Sequence, residues 1–425
     1  MRWTNRDLRR FAGQFENFMS AVVPVLGRSE RRTAAIRYVE GLLMEGQRKS
    51  IEPLAARLGV EGQSLQQFVT DSPWEEEKLW GSMRREIITH LEPFESWIVD
   101  ETGWLKQGEH SVGVARQYCG AVGKKANCQV NVQLAVSNGT VAAPIGARLF
   151  LPESWILDTE RRNKAGVPKE LGYATKAQIA LGLIAEALAD QVQKAPVLGD
   201  SIYGDSWHFR QGLRERDLEF FLQVSPNLHQ GWTEPIRTVK SRTKTHPHPD
   251  EPPPQSLEQL IAALKPQHFK NASWKATDGS TKKTRLAWIK VYLARAFFYH
   301  AQEPEAVWLV VDWPKEAAEP YNVYLAHLKR APSIAICLRL SRSRWQIEQY
   351  FQRSKDDLGL DHYEGRFWRG FHHHLALSAL AYLFTLVCWL RSKKNFFSDV
   401  GADAPLDSAT LAETNRLLPI LSDQV

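Results

Sequence analysis

Two short apolar runs, each closed by an aspartate, constrain this chain more than any other feature. Trp97-Ile98-Val99 leads into Asp100, and Pro196-Val197-Leu198-Gly199 leads into Asp200. Between them, Gln129 to Val136 (QVNVQLAV) alternates with period two, Ser137-Asn138-Gly139 marks a turn, and Thr140 to Leu151 returns. That is the pattern of a β-hairpin. Thr175 to Gln191 then carries apolar residues at helical spacing. Trp207 to Glu215 reads as a helix, and Glu219 to Val224 as a strand. Strand, hairpin, helix and strand in this order predict an α/β domain. In open α/β sheets, sites form beyond the carboxyl ends of strands. An Asp there is exposed yet held by a rigid element, although a single strand-end Asp commonly just starts a turn or caps a helix. Two of them, each closing an apolar strand, point to a metal site.

The chain divides by composition. Residues 1–92 read as helical, with apolar residues at helical spacing in Arg32 to Glu45 and Pro53 to Leu58. Residues 226–305 differ from their surroundings. Thr245 to Gln255 holds five prolines, which cannot continue a helix or a central strand. Residues 226–300 carry 12 Lys/Arg against 5 Asp/Glu, more than the +6 excess of the whole chain. Trp274 to Ala276 and Arg285 to Phe298 read as strands around the turn Asp278-Gly279. This block is expected to be a basic, β-rich insertion, splitting an α/β core into 93–225 and 306–395. Glu305 to Trp313 resumes an apolar strand, and Ser343 to Leu358 and His374 to Leu390 are predicted helices. Residues 396–425 form a tail without clear pattern.

Composition excludes several classes. With 425 residues, 43% hydrophobic and 24% charged, the chain is globular rather than disordered. Its four cysteines form no Cys-x-x-Cys, so neither a disulfide scaffold nor a zinc ribbon is expected, and the usage fits a cytoplasmic protein. Charges throughout the first 30 residues predict no signal peptide. Leu375 to Leu390 is an uncharged run of 16, short of the roughly 20 that span a bilayer, and is expected to be a buried core helix rather than a membrane anchor. His372-His373-His374 lacks a spaced partner ligand, and Cys119 and Cys128 read as small core residues. Gly199-Asp-Ser-Ile-Tyr is not a nucleophile elbow, and Gly120-Ala-Val-Gly-Lys-Lys125 is not a phosphate loop.

A metal site needs a further acid, and Ser343 to Leu358 offers Glu348. Arg344, Glu348 and Lys355 lie at offsets of four and seven, so a helix puts them on one face. The arrangement is either a surface ion-pair ladder or a metal-and-phosphate site, with the acid on the metal and the cations on phosphate oxygens. Asp100 in Val-Asp-Glu-Thr-Gly, Asp200 in Leu-Gly-Asp-Ser-Ile-Tyr-Gly and Glu348 in Arg-x-x-x-Glu-x-x-x-x-x-x-Lys together resemble the catalytic triad of bacterial insertion-sequence transposases with an RNase H-like DDE domain. The likeness is to the branch with a β-rich insertion between the second Asp and the Glu. Leu151-Pro-Glu-Ser-Trp155, with Asp158, Arg161, Arg162 and Ala165-Gly-Val-Pro168 after it, and Asp71-Ser-Pro-Trp74 resemble that branch too. One departure is Ser341, where the related signature has Tyr.

The resemblance implies an RNase H-like mixed sheet flanked by helices, and DNA cleavage and strand transfer with two divalent ions, Mg²⁺ or Mn²⁺. Asp100, Asp200 and Glu348 would be both metal ligands and catalytic residues. Two metals about 3.5–4 Å apart can activate an attacking oxygen and stabilise a leaving one. The implied partners are element-end inverted repeats and target DNA, with a homodimer or higher oligomer assembled on DNA, at the bacterial nucleoid and away from membranes. Outside the triad, Ile51 to Val69 resembles a helix-turn-helix, in which Gly59 makes the turn. In the insertion, Lys240, Arg242, Lys244, Lys270, Lys275, Lys282, Lys283 and Arg285 would follow a phosphate backbone, and Trp274 and Trp288 among them suit stacking on a base. Two alternatives stay open: a catalytically silent, transposase-derived DNA-binding protein, and an RNase H-like nuclease that cuts without joining.

Overall fold

The structure, a computed structural model, describes residues 5–240, 245–275, 279–300 and 303–396. Arg242, Lys244, Asp278 and the tail from 397 lie outside the described residues. The strands are β1 (Ser96–Leu105), β2 (Ala115–Cys119), β3 (Lys124–Ser137), β4 (Ala142–Phe150), β5 (Val197–Gly199), β6 (Phe220–Gln223), β7 (Gln230–Trp232), β8 (Thr238–Lys240), β9 (Thr245–Pro247), β10 (Gln255–Ser256), β11 (Lys270–Lys275), β12 (Thr281–Leu293), β13 (Glu305–Asp312) and β14 (Asn322–His327). All but β8 and β9, which pair with each other, join one mixed sheet.

Its centre runs β4-β3-β1-β5-β6. The first three strands are antiparallel, and β5 and β6 are parallel to β1. With the helix Lys176–Ala189 between β4 and β5, this is an RNase H-like arrangement. Thr175 starts that helix with a capping box closed by Gln178. Gly139, at φ +85°, supplies the left-handed residue of the β3–β4 turn.

The insertion does not stand apart. β14 pairs with β6, β13 with β14, β12 with β13, and β7 and β11 with β12, so it continues the core sheet edge to edge. An ion pair fastens the junction. Arg210, on the helix Trp207–Glu215, donates to both carboxylate oxygens of Glu305 at 2.8–3.1 Å, and both side chains are buried.

The helix Trp368–Phe396 is enclosed by protein over its apolar stretch. Phe11, Phe15 and Phe18 of the first helix (Asn5–Val22) surround Phe384 at centroid distances of 5.0–5.5 Å. Trp74 stacks on His373 at 3.6 Å, which gives the Asp71-Ser-Pro-Trp74 motif a packing role. Arg84, on the helix Glu76–Leu91, reaches Asp190 at 2.7 Å and the Ile145 carbonyl of β4 at 2.7 Å. The N-terminal helices and the sheet therefore share one hydrophobic core.

Candidate active site

The apolar spacing predicts that β1 stops at Asp100, and here the structure differs. β1 runs on to Leu105 because Asp100 to Leu105 pair with Gln133 to Cys128 of the long strand β3. On the other side, the short strand β5 pairs only with Trp97 and Ile98. Asp100 thus lies beside the space left where β5 stops. Asp200 follows β5 directly. Its Oδ1 accepts the Ile202 N–H at 3.0 Å and starts the short helix Ser201–Gly204.

The helix predicted from Ser343 to Leu358 is Trp345–Asp356, and Arg344 sits at its junction with a preceding helix, Ile334–Ser343. Glu348 lies on the first turn of Trp345–Asp356, and Lys355 two turns further on.

Asp100, Asp200, Glu348, Arg344 and Lys355 line one cavity of about 400 Å³. Arg344 bridges two of the acids: Nη1 donates to Asp100 Oδ2 at 2.9 Å, and Nη2 lies 2.6 Å from Glu348 Oε1. Lys355 Nζ donates to the Gly103 carbonyl at 3.2 Å. The cation face is therefore not a solvated ladder, since Arg344 reaches across to the sheet. Burial pushes the Asp100 carboxyl up to about 7; Arg344 opposes the rise, while Asp200 and Glu101 reinforce it. Burial and the nearby Glu101 push Asp200 up to about 6, against the pull of the Ile202 N–H and Arg344. Burial lowers Lys355.

Crowded carboxylates that resist ionisation are a donor set suited to a hard divalent cation, which would supply the missing positive charge. Among the described residues, no three His, Cys, Asp or Glu side chains are already gathered at ligating distance. Arg344 occupies the position between Asp100 and Glu348.

Sequence reasoning missed the support around these acids. Glu101 pairs with Lys176 at 2.7 Å and accepts the Tyr203 hydroxyl at 3.0 Å. The signal for Tyr203 was its place three residues after Asp200. Asp205 is tied to His229 at 2.8 Å and to the Ser225 N–H at 2.9 Å, away from the cavity. Ser341, at the expected Tyr position, only donates to the Leu338 carbonyl of its own helix at 3.2 Å.

The insertion residues fall into two groups. Lys282, Lys283, Lys270 and Lys275 are exposed. Arg285 is engaged within the protein, donating to the Trp313 carbonyl at 3.2 Å and lying 5.1 Å from the centre of the Phe269 ring. Trp274 has Arg342 over its face at 3.7 Å, and Trp288 has Lys270 at 4.6 Å. Trp274 pairs across strands with Lys282.

His372, His373 and His374 are buried, and their ring nitrogens meet carbonyls, the Leu149 N–H or the Tyr38 hydroxyl. Burial lowers all three to about 4. Arg161 lies 3.8 Å over the Trp155 ring, and Asp158 caps its helix by accepting the Arg161 N–H, so the motif at Leu151 to Trp155 is structural.

The family model described as DDE superfamily endonuclease matches residues 21–283. The match takes in Asp100 and Asp200 and ends before Arg344, Glu348 and Lys355, which rest on geometry and on their own spacing. The chain is 31% identical over 203 residues to the probable transposase for insertion sequence element IS701 of Microchaete diplosiphon, an alignment covering 46% of this chain and 50% of that one. It thus spans about half the length of this curated relative. With more than half of its length inside the family match and an RNase H-like sheet behind the acids, the chain belongs to the DDE superfamily endonucleases.

Proposed function

We propose that this chain is a transposase that cuts DNA at the ends of an insertion sequence and joins those ends to target DNA, with divalent metal ions. The observation that carries the reading is one cavity lined by two strand-borne aspartates, a helix-borne glutamate and two cations. Asp100, Asp200 and Glu348 would hold the metals. When bound, the metals would activate an attacking oxygen and stabilise the leaving one. Asp100 stays fixed in the middle of a strand paired along ten residues, and Asp200 stays fixed by its cap, so neither carboxylate needs to be ordered by substrate. Arg344, which neutralises Asp100 and Glu348, would turn to a phosphate oxygen when cations take its place. No nucleophilic side chain is required, since water and then a DNA 3′-hydroxyl serve in turn.

The helices Ile51–Leu58 and Gly62–Thr70, joined at Gly59 (φ +63°), would read the element end, with Gln63, Ser64, Gln66 and Gln67 on the exposed face of the second helix. Gln is suited to bidentate contact with adenine. Residues 1–92 would thus form the DNA-binding part, 93–225 and 306–395 the catalytic core, and Lys282 and Lys283 of the insertion would meet phosphates. The enzyme would work in the bacterial cytoplasm as an oligomer on DNA. The test is cleavage of an element-end duplex with Mg²⁺, followed by joining of pre-cut ends to a plasmid. Wild type should do both, and Asp100→Asn, Asp200→Asn and Glu348→Gln should do neither while still binding DNA. Cleavage without joining would reduce the reading to a nuclease. Full cleavage by Glu348→Gln would remove that residue from the site.

A further inference from the structure

The β2–β3 hairpin forms part of the cavity wall, and nothing in the proposed chemistry uses it. No acidic residue occurs between Glu109 and Glu153, while Arg116, Lys124, Lys125 and Arg148 fall in that stretch. Strand alternation puts Arg116 and Tyr118 on one face, and the register sets Tyr118 opposite Lys125. Both Arg116 and Tyr118 are exposed, Tyr118 at 56%.

The other face is anchored. Cys119 and Cys128 are fully buried, and a Cβ at Gly103 of β1 would lie 2.6 Å from Cys119 Sγ, so only glycine lets the hairpin root seat this close to β1. Gln117 reinforces the root by donating to the Cys128 carbonyl at 3.0 Å. Beyond the root, Gly120 to Lys125 are all exposed, with Gly123 in the left-handed region at φ +63°.

The tip is therefore a rigidly mounted lip carrying an aromatic ring, small residues and three cations. Tyr118, Gly120 and Ala121 line the same cavity as Asp100, Asp200 and Glu348. Among the described residues, Arg116, Lys124 and Lys125 make no ion pair, and the Tyr118 ring makes no ring contact. Folding has no use for an exposed phenol among unpaired cations at the mouth of an acidic cavity. An unpaired base does, because aromatic rings stack on bases while flanking cations take phosphates.

We propose that the β2–β3 hairpin holds the DNA strand entering the cavity, with Tyr118 stacked on the base next to the phosphate presented to the acids and Arg116 and Lys125, on the same face, on the flanking phosphates. This rests on the reading of the chain as a DNA-cutting enzyme. The test uses the full chain and an element-end duplex whose cleavage position has been mapped with wild type. 2-Aminopurine is placed in turn at the nucleotides flanking the cut, with Ca²⁺ replacing Mg²⁺ so that binding proceeds without cleavage.

Wild type and Tyr118→Phe should quench the probe at one or two adjacent positions. Tyr118→Ala should lose that quenching and bind about 10-fold more weakly, with an unchanged melting temperature because the ring is exposed. Arg116→Ser/Lys125→Ser should reduce the slope of log affinity against log salt by about 0.7–0.9 per lost contact. Quenching that survives in Tyr118→Ala, or is lost equally in Tyr118→Phe, overturns the stacking role. These failures leave the functional reading standing if wild type still cuts and Asp100→Asn does not. Wild type that neither binds nor cuts DNA overturns both.

Discussion

Asp100→Asn should stabilise the metal-free protein at high pH. Asp100 has a carboxyl raised from 3.8 to about 7 in the folded state, with burial as the main cause. A group raised in this way contributes its stability below the unfolded pKa and loses it as pH climbs through the folded one. The loss therefore falls between about pH 4 and pH 7. A shift of some three units at about 1.4 kcal/mol each comes to roughly 4 kcal/mol at pH 8. Asp200 adds a smaller loss of the same sign, ending near pH 6, and the two do not simply add because the Asp200 charge itself raises Asp100. Asparagine is neutral throughout and escapes the penalty. The assay is thermal unfolding in chelator across pH 4.5 to 8.5. The two proteins should melt together at pH 4.5, and the variant should melt several degrees higher at pH 8. Added Mg²⁺ or Mn²⁺ should then raise the wild type more than the variant. If Asp100→Asn is destabilised equally at both ends of the range, the pairing with Arg344 outweighs burial, and the strained-acid argument fails.

Other outcomes follow from the same contacts. Arg344→Ala should lower single-turnover cleavage by about 10²-fold or more, with Arg344→Lys rescuing only in part, because a point charge cannot bridge two carboxylates or a phosphate as a fork does; wild-type rates in both would leave Arg344 as a structural ion pair. Lys282→Ser/Lys283→Ser should weaken binding to all DNA sequences alike and cut the salt slope by about 0.9 per lost contact, measured by fluorescence anisotropy. Arg285→Ser should instead lower the melting temperature, since its side chain is held by Phe269 and Trp313. Glu305→Ala leaves Arg210 buried without its partner and should cost about 3–5 kcal/mol, seen as faster proteolysis within 226–300.

The parts of the fold legible in the sequence were those set by local chemistry. The turn at Ser137-Asn138-Gly139, the helix Trp207–Glu215 and the helix started by Thr175 all carry their own signals. β1 beyond Asp100 does not. Glu101-Thr102-Gly103 is neither apolar nor alternating, and only the length of β3 makes it a strand. β14 likewise rests on β6, a partner distant in sequence, while β2 carries no pattern of its own and is a strand only as the return partner of β3. That Asp100, Asp200 and Glu348 would line one cavity was legible by order and spacing. The pairing of Arg344 with Asp100 was not, since it joins residues 244 positions apart across an interface that no local pattern describes.

The shared core of the N-terminal helices and the sheet has a consequence for how an element end would be measured. A reading head on a flexible tether tolerates slack between the bases it recognises and the phosphate to be cut. Here Phe11, Phe15 and Phe18 close around Phe384, and Trp74 lies flat on His373, so the proposed reading helices are fixed to the helix Trp368–Phe396. One extra base pair between recognition sequence and cut would shift the phosphate by about 3.4 Å and turn it by about 34°. If the enzyme reads element ends as proposed, it would act as a fixed gauge and reject ends that are one base pair out of phase even when every recognised base is present.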